Sequence, residues 1–245
     1  MPGIFLFKRR QLLRLGGTGV VSFLGGAVVT KAVDVHASSS VQSGSGPLTQ
    51  NDAQVYLSPG GFDQQFLAKS ADVRQIWDFV TVEQIQPQGL TAIRNALNAF
   101  QFTYKKTLYP VICLRGNAVI YALDDNLWMK YSLATLAAQK NGGTTGANPL
   151  YSRQTSDNGS LDPQDPDSLY QDPSLQALQQ RGVHVAACHD ALNGLAGKLA
   201  EPRGLTTDSV FTELAAHLIP GAQQTPSGSS LIAVAQHLGF TYAKQ

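Results

Sequence analysis

The chain has 245 residues, 43% of them apolar and 14% charged, enough for a sizeable core in one large domain or two small ones. Residues 1–37 carry Lys8, Arg9, Arg10, Arg14 and Lys31 against Asp34 alone, so the overall 18 basic and 17 acidic residues become 13 and 16 beyond position 37, a body near −3. That balance excludes the basic footprint of a nucleic-acid binder, and two cysteines, Cys113 and Cys188, are too few for a disulfide-stapled scaffold.

Lys8-Arg9-Arg10-Gln11-Leu12-Leu13-Arg14 precedes an uncharged run over residues 15–30 that includes Gly16, Gly17, Gly19, Gly25 and Gly26. The arginine pair, Leu12 two positions later and the moderately apolar run resemble a twin-arginine export signal. Val35-His36-Ala37 offers a small-residue cleavage site before Ser38. The alternative is a retained anchor, but sixteen uncharged residues fall short of the ~20 that span a bilayer. Residues 1–37 are therefore read as a signal, and the protein as periplasmic or exported. An uncleaved N-terminus would instead tether it to the inner membrane, the one membrane contact expected.

Residues 38–69 read as a linker and N-terminal extension, Ser/Gly/Gln-rich at first and turning at Pro59-Gly60-Gly61. A domain over residues 70–245 follows. Residues 73–80 form its first strand, and Pro87-Gln88-Gly89 breaks it. Ile93, Ala96, Leu97 and Phe100 recur at helical spacing. Residues 109–116 are a continuous apolar run, as in a strand buried on both faces. Residues 117–123 suggest a short extended piece, and Asp124-Asp125-Asn126 caps a helix through Trp128, Tyr131 and Leu136. Residues 140–170 have no period and read as an insertion that serves assembly or covers a site.

Asp172 as N-cap, Pro173 at the first helical position and Gly182 beyond the end punctuate the next helix. A short strand over residues 183–188 follows, then a helix over 191–199. Thr206, Thr207 and Asp208 cap another, with Phe211, Leu214, Ala215 and Leu218 on one face. After Pro220-Gly221 come a strand at 222–225, a helix over 227–239 and a last strand at 240–243. Alternating strands and helices predict one doubly wound α/β domain with a mainly parallel sheet of about five strands. His217 and His237, late in their helices, are expected to contact the C-terminal carbonyls. Trp77 and Trp128 read as core or interface.

Chemistry concentrates at Cys188, where a strand stops and a helix begins. In open α/β sheets ligands collect at such carboxyl ends. Thiol chemistry needs the thiolate, which the positive end of a helix favours. His189 could add charge or a hydrogen bond. Arg115 and Asn117, ending the neighbouring strand, could reach the same crevice and hold an anionic sulfur group. Ser227 and Gly228 open the last helix, either as an anion site or as a plain N-cap. Against this stands Cys188 as a small buried hydrophobe, and Cys113, inside an apolar strand, reads as core. His184, Cys188 and His189 lack further ligands, so no metal is expected. No dinucleotide, Walker, GxSxG or HExxH motif appears, so no cofactor is expected either.

Three segments together resemble the DsrE/F-like family. They are residues 111–116, the run Gly182-Val183-His184-Val185-Ala186-Ala187-Cys188-His189-Asp190-Ala191-Leu192, and the closing Leu218-Ile219-Pro220-Gly221 through Thr225-Pro226-Ser227-Gly228 to Leu238-Gly239-Phe240-Thr241-Tyr242. The likeness is greatest to its exported branch with twin-arginine signals. The resemblance implies a five-stranded parallel sheet with helices on both faces, usually in homo-oligomers. It also implies a persulfide-carrying cysteine near a strand end, the position of Cys188, and a small sulfur species as ligand. A second relay cysteine is not evident, and the 140–170 insertion departs from the family pattern. Whether the protein is an enzyme stays open. The alternative is a non-enzymatic binding or assembly subunit of a larger, membrane-tethered complex.

Overall fold

The computed structural model describes residues 65–86, 88–137 and 146–244. The expected export signal, with Arg9 and Arg10, and most of the linker lie outside them. Five strands pair into one sheet: β1 (Val73–Phe79), β2 (Leu108–Leu114), β3 (His184–Cys188), β4 (Gln223–Thr225) and β5 (Thr241–Lys244). Their spatial order is β4-β3-β2-β1-β5 and every neighbouring pair is parallel. Parallel strands need long crossovers, and eight α-helices lie among the described residues: α1 (Val82–Ile85), α2 (Gln88–Asn98), α3 (Asp125–Tyr131), α4 (Leu133–Leu136), α5 (Leu175–Gln180), α6 (His189–Ala200), α7 (Thr207–Ala216) and α8 (Gly228–His237).

The strand order dictates which face each helix covers. From β1 to β4 the chain steps in one direction, so right-handed crossovers put the intervening helices on one face. The return from β4 to the far side of β1 reverses the step and puts α8 on the other face. Strand alternation splits the core accordingly. Trp77, Phe79, Ile112, Leu114, Val185 and Ala187 pack with Leu90, Ile93, Leu192, Leu199 and Leu214 on the thick side. Ile76, Val111, Cys113 and Ala186 pack with Leu231, Val234 and Ala235 of α8, and with Leu67, on the thin side. Each fully buried aliphatic or Phe side chain contributes roughly 1.5–3 kcal/mol, so both layers hold the sheet.

The expected strands and most helices are present, with local differences. Residues Gly116–Ala122 form a 3-10 segment instead of an extended piece. Its side chains from Ala118 to Ala122 are all buried, and the Ala118 amide donates to the Arg115 carbonyl and the Leu123 amide to the Ile120 carbonyl, closing the segment locally rather than in a strand ladder. The helix expected through Leu136 breaks at Ser132, which has φ 54°. The cap of α5 is Ser174, whose hydroxyl accepts the Ala177 amide. Asp172 lies two residues earlier and accepts the Ser174, Gln154 and Thr155 amides. Asp172 thus ties the insertion to the helix, and the described residues 146–170 have only turns before a 3-10 turn at Leu169–Gln171.

The His217 ring, expected at carbonyls, instead meets the Asp124 carboxylate at 2.9 Å. That carboxylate also caps α3 through the Leu127 amide. Trp77 and Trp128 are both buried, and the Trp128 indole donates to the Ile120 carbonyl. Among the described residues, no helix is long and apolar enough to cross a membrane.

Candidate functional site

The fold creates one switch point at the carboxyl end of the sheet. The connection from β3 leaves to the thick side, through α6. The connection from its neighbour β4 leaves to the thin side, through α8. Adjacent strands whose exits diverge open a crevice between them. Cys188 ends β3, pairs with Thr225 at the end of β4 and is the N-cap residue of α6. Alternation from Ala186 points its side chain to the thin side, towards the start of α8. There the Gly228 amide donates to the Cys188 Sγ across 3.2 Å. The sulfur therefore faces the positive end of α8, and it makes no side-chain capping bond to α6. Cys188 is 4% exposed, so its surroundings are protein rather than open solvent.

Gly228 meets a second sulfur. The Cys113 thiol, on the same face of β2, donates to the Gly228 carbonyl at 3.7 Å. A Cβ on Gly228 would come within 3.1 Å of the Cys113 Sγ and 2.7 Å of the Arg115 Cδ, so only a glycine fits between them. Burial pushes the Cys113 thiol well up; Asp78 and Cys188 add to that and Arg115 opposes it. Cys113 is thus a neutral S–H group at ordinary pH. The sequence reading of Cys113 as core holds for its burial, and the structure adds its contact with the helix start.

A polar fork flanks this pair. Asp78, 3% exposed at the end of β1, accepts Arg115 Nε at 2.7 Å and Nη2 at 2.8 Å. It also accepts the Tyr242 hydroxyl at 2.9 Å. The Asp78 bonds hold the Arg115 guanidinium above its already high value, and burial, then the bond to Asp78, raises the Tyr242 hydroxyl. Asp78 and Tyr242 were not singled out from sequence. The available signal was a carboxylate in the apolar run Trp77-Asp78-Phe79, because a buried charge requires partners.

The remaining candidates separate. Asn117 is exposed, and its Oδ1 accepts the Val82 amide on the thick side. It lines a pocket of about 370 Å³ with Val119, Leu136, Ala191, Gly194 and Lys198. The His189 ring lies 4.7 Å from the Phe211 ring and 3.4 Å from the Gln224 side chain, again towards the thick side. Ser227 occupies the N-cap position of α8 but makes no side-chain capping bond. Of the residues named from sequence, Cys188, Gly228 and Arg115 come together, and Asn117 and His189 turn away. His184 shares the Cys188 face but stacks on Phe66 at 3.7 Å, near the other end of β3. Among the described residues, no three His, Cys, Asp or Glu side chains gather as a metal-binding group. No protein-family model matches the chain, and no curated protein does.

Proposed function

We propose that this protein carries sulfane sulfur as a persulfide on Cys188, as an exported relative of the DsrE/F-like proteins. The observation that carries the reading is the Gly228 amide 3.2 Å from the Cys188 sulfur at the switch crevice. The Gly228 amide at the start of α8 supplies a backbone donor that a thiolate or persulfide sulfur can accept. The reaction needs no cofactor. The Cys188 thiolate attacks the outer sulfur of a low-molecular-weight persulfide. A new S–S bond forms, the donor's S–S bond breaks, its electron pair leaves as the donor thiolate, and the proton stays on the transferred sulfur. Arg115 lies beside the same glycine and would steady the departing donor thiolate from the Asp78 fork.

The test is to incubate the folded protein with glutathione persulfide and measure intact mass after removing the donor. The expected product is one sulfur atom heavier, with the label mapped to Cys188 and lost in Cys188→Ser. Full sulfur loading of Cys188→Ser would overturn the reading.

The 4% exposure of Cys188 favours a second reading. In it the fold serves as a non-enzymatic binding or assembly subunit, a homo-oligomer or part of a larger complex, held at the membrane by its N-terminus. That reading expects an uncleaved N-terminus by intact mass and co-purification with membranes. The first expects mature protein beginning after residue 37 in the periplasm.

A further inference from the structure

We propose that Cys113 is a positioning residue for Cys188, acting through residue Gly228. The inference rests on the reading of Cys188 as the working thiol. One residue links the two sulfurs: Gly228 accepts from Cys113 at its carbonyl and donates to Cys188 from its amide. The carbonyl contact sets the rotation of the first turn of α8 about its axis, which aims the amide. Three features support it independently of any chemistry at Cys188. The Cys113 Sγ occupies the space a side chain on residue 228 would need, so the contact depends on glycine. Cys113 is wholly buried in a central strand, paired with Asp78 of β1 and Ala186 of β3, and cannot itself receive an outside ligand. Its thiol stays protonated because burial pushes it well up, which keeps it a donor to the carbonyl. Cys113 is therefore no second carrier of sulfur. It is the anchor that holds the start of α8 against the sulfur that is.

Among the described residues, the charged groups beside this cluster are Asp78 and Arg115, with the Tyr242 hydroxyl bonded to Asp78, and His184 lies on the same face of β3 towards its other end. All four are unchanged in a Cys113 variant, so a shift in Cys188 behaviour reports the Gly228 contact. The measurement is the pH profile of Cys188 in folded protein, read by the Cβ carbon resonance and by the rate of iodoacetamide alkylation. In Cys113→Ala the profile is expected to move to higher pH and the rate at pH 7 to fall roughly two- to threefold, the size of one weak S–H···O contact. Cys113→Ser, which keeps a donor on a shorter bond, is expected to fall between. An unchanged profile in Cys113→Ala would overturn the proposal, as would equal profiles for the two variants.

If Cys113→Ala does not fold, wild-type protein still decides. The Cys113 Cβ resonance must follow the Cys188 titration together with the Gly228 amide, and a Cys113 resonance that stays still across it overturns the coupling. The two readings fail separately. A Cys188 that depends on Cys113 but takes no sulfur refutes only the carrier function. A Cys188 that takes sulfur and ignores Cys113 refutes only the anchor.

Discussion

Asp78 holds Arg115 through both carboxylate oxygens, at 2.7 and 2.8 Å, and so joins the ends of β1 and β2 beside the start of α8. The two residues are 37 positions apart, and the register brings them together: Asp78 pairs with Cys113, so Arg115 leaves β2 just beyond it. Tyr242 adds a third strand end. A carboxylate this buried is tolerated only because all its bonds are made at once.

Removing the carboxylate should therefore cost more than a surface ion pair. Asp78→Ala leaves Arg115 to find solvent, since its side chain is 29% exposed, and the expected loss is about 2–3 kcal/mol by urea unfolding. Tyr242→Phe removes one bond and should cost about 1 kcal/mol. Wild-type midpoints for both variants would mean that the fork contributes no stability.

Gly228→Ala sets two effects against each other. Alanine is the better helix former by about 1 kcal/mol. Its Cβ would lie 2.7 Å from the Arg115 Cδ and 3.1 Å from the Cys113 Sγ. The Arg115 Cδ can swing aside, but its Cβ, 3.0 Å away, is fixed to the backbone, and the Cys113 sulfur is locked in a central strand. Overpacking at about 1–3 kcal/mol wins, and the variant should unfold at lower urea than wild type. A gain in its midpoint would show that α8 can shift outward freely.

Alkaline pH should unfold the protein from its core. Burial pushes the Tyr109 hydroxyl up to about 12, from an ordinary value of 10. The Tyr121 hydroxyl is also raised to about 12, by burial above all, with the Gln86 bond opposing it. For a group raised on folding, the unfolded chain releases its proton first. The stabilisation is complete below about pH 10 and is lost as pH rises towards 12. Urea midpoints should hold level to about pH 9 and then fall, and Tyr109→Phe should fall less steeply. Parallel profiles for the two proteins would assign the loss to other groups.

The alternation of elements was legible because β2 and β3 are continuous apolar runs and the helices are capped by local residues such as Thr206 and Asp124. These are signals between neighbours in the chain. Residues 116–122 misled because an apolar run is compatible with a buried 3-10 turn as well as with a strand. Asp172 and Ser174 were confused because both are good capping residues two positions apart, and only the insertion's amides show which task each performs.

Cys188 at a strand end was readable from its flanks, as Gly182 stops one helix and His189 starts the next. Its partners were not. Asn117 and His189 lie close to Arg115 and Cys188 in sequence, yet strand and helix geometry turns them to the opposite face. Gly228, 40 residues away, meets the sulfur instead. Local pattern therefore determined the kind and order of the elements, including the thiol at the end of β3, because propensity and periodicity act over a few residues. The face that thiol serves, and the glycine and second sulfur it meets, were decided only when the chain reversed direction after β4. Strand order is a long-range choice that no short stretch of sequence encodes.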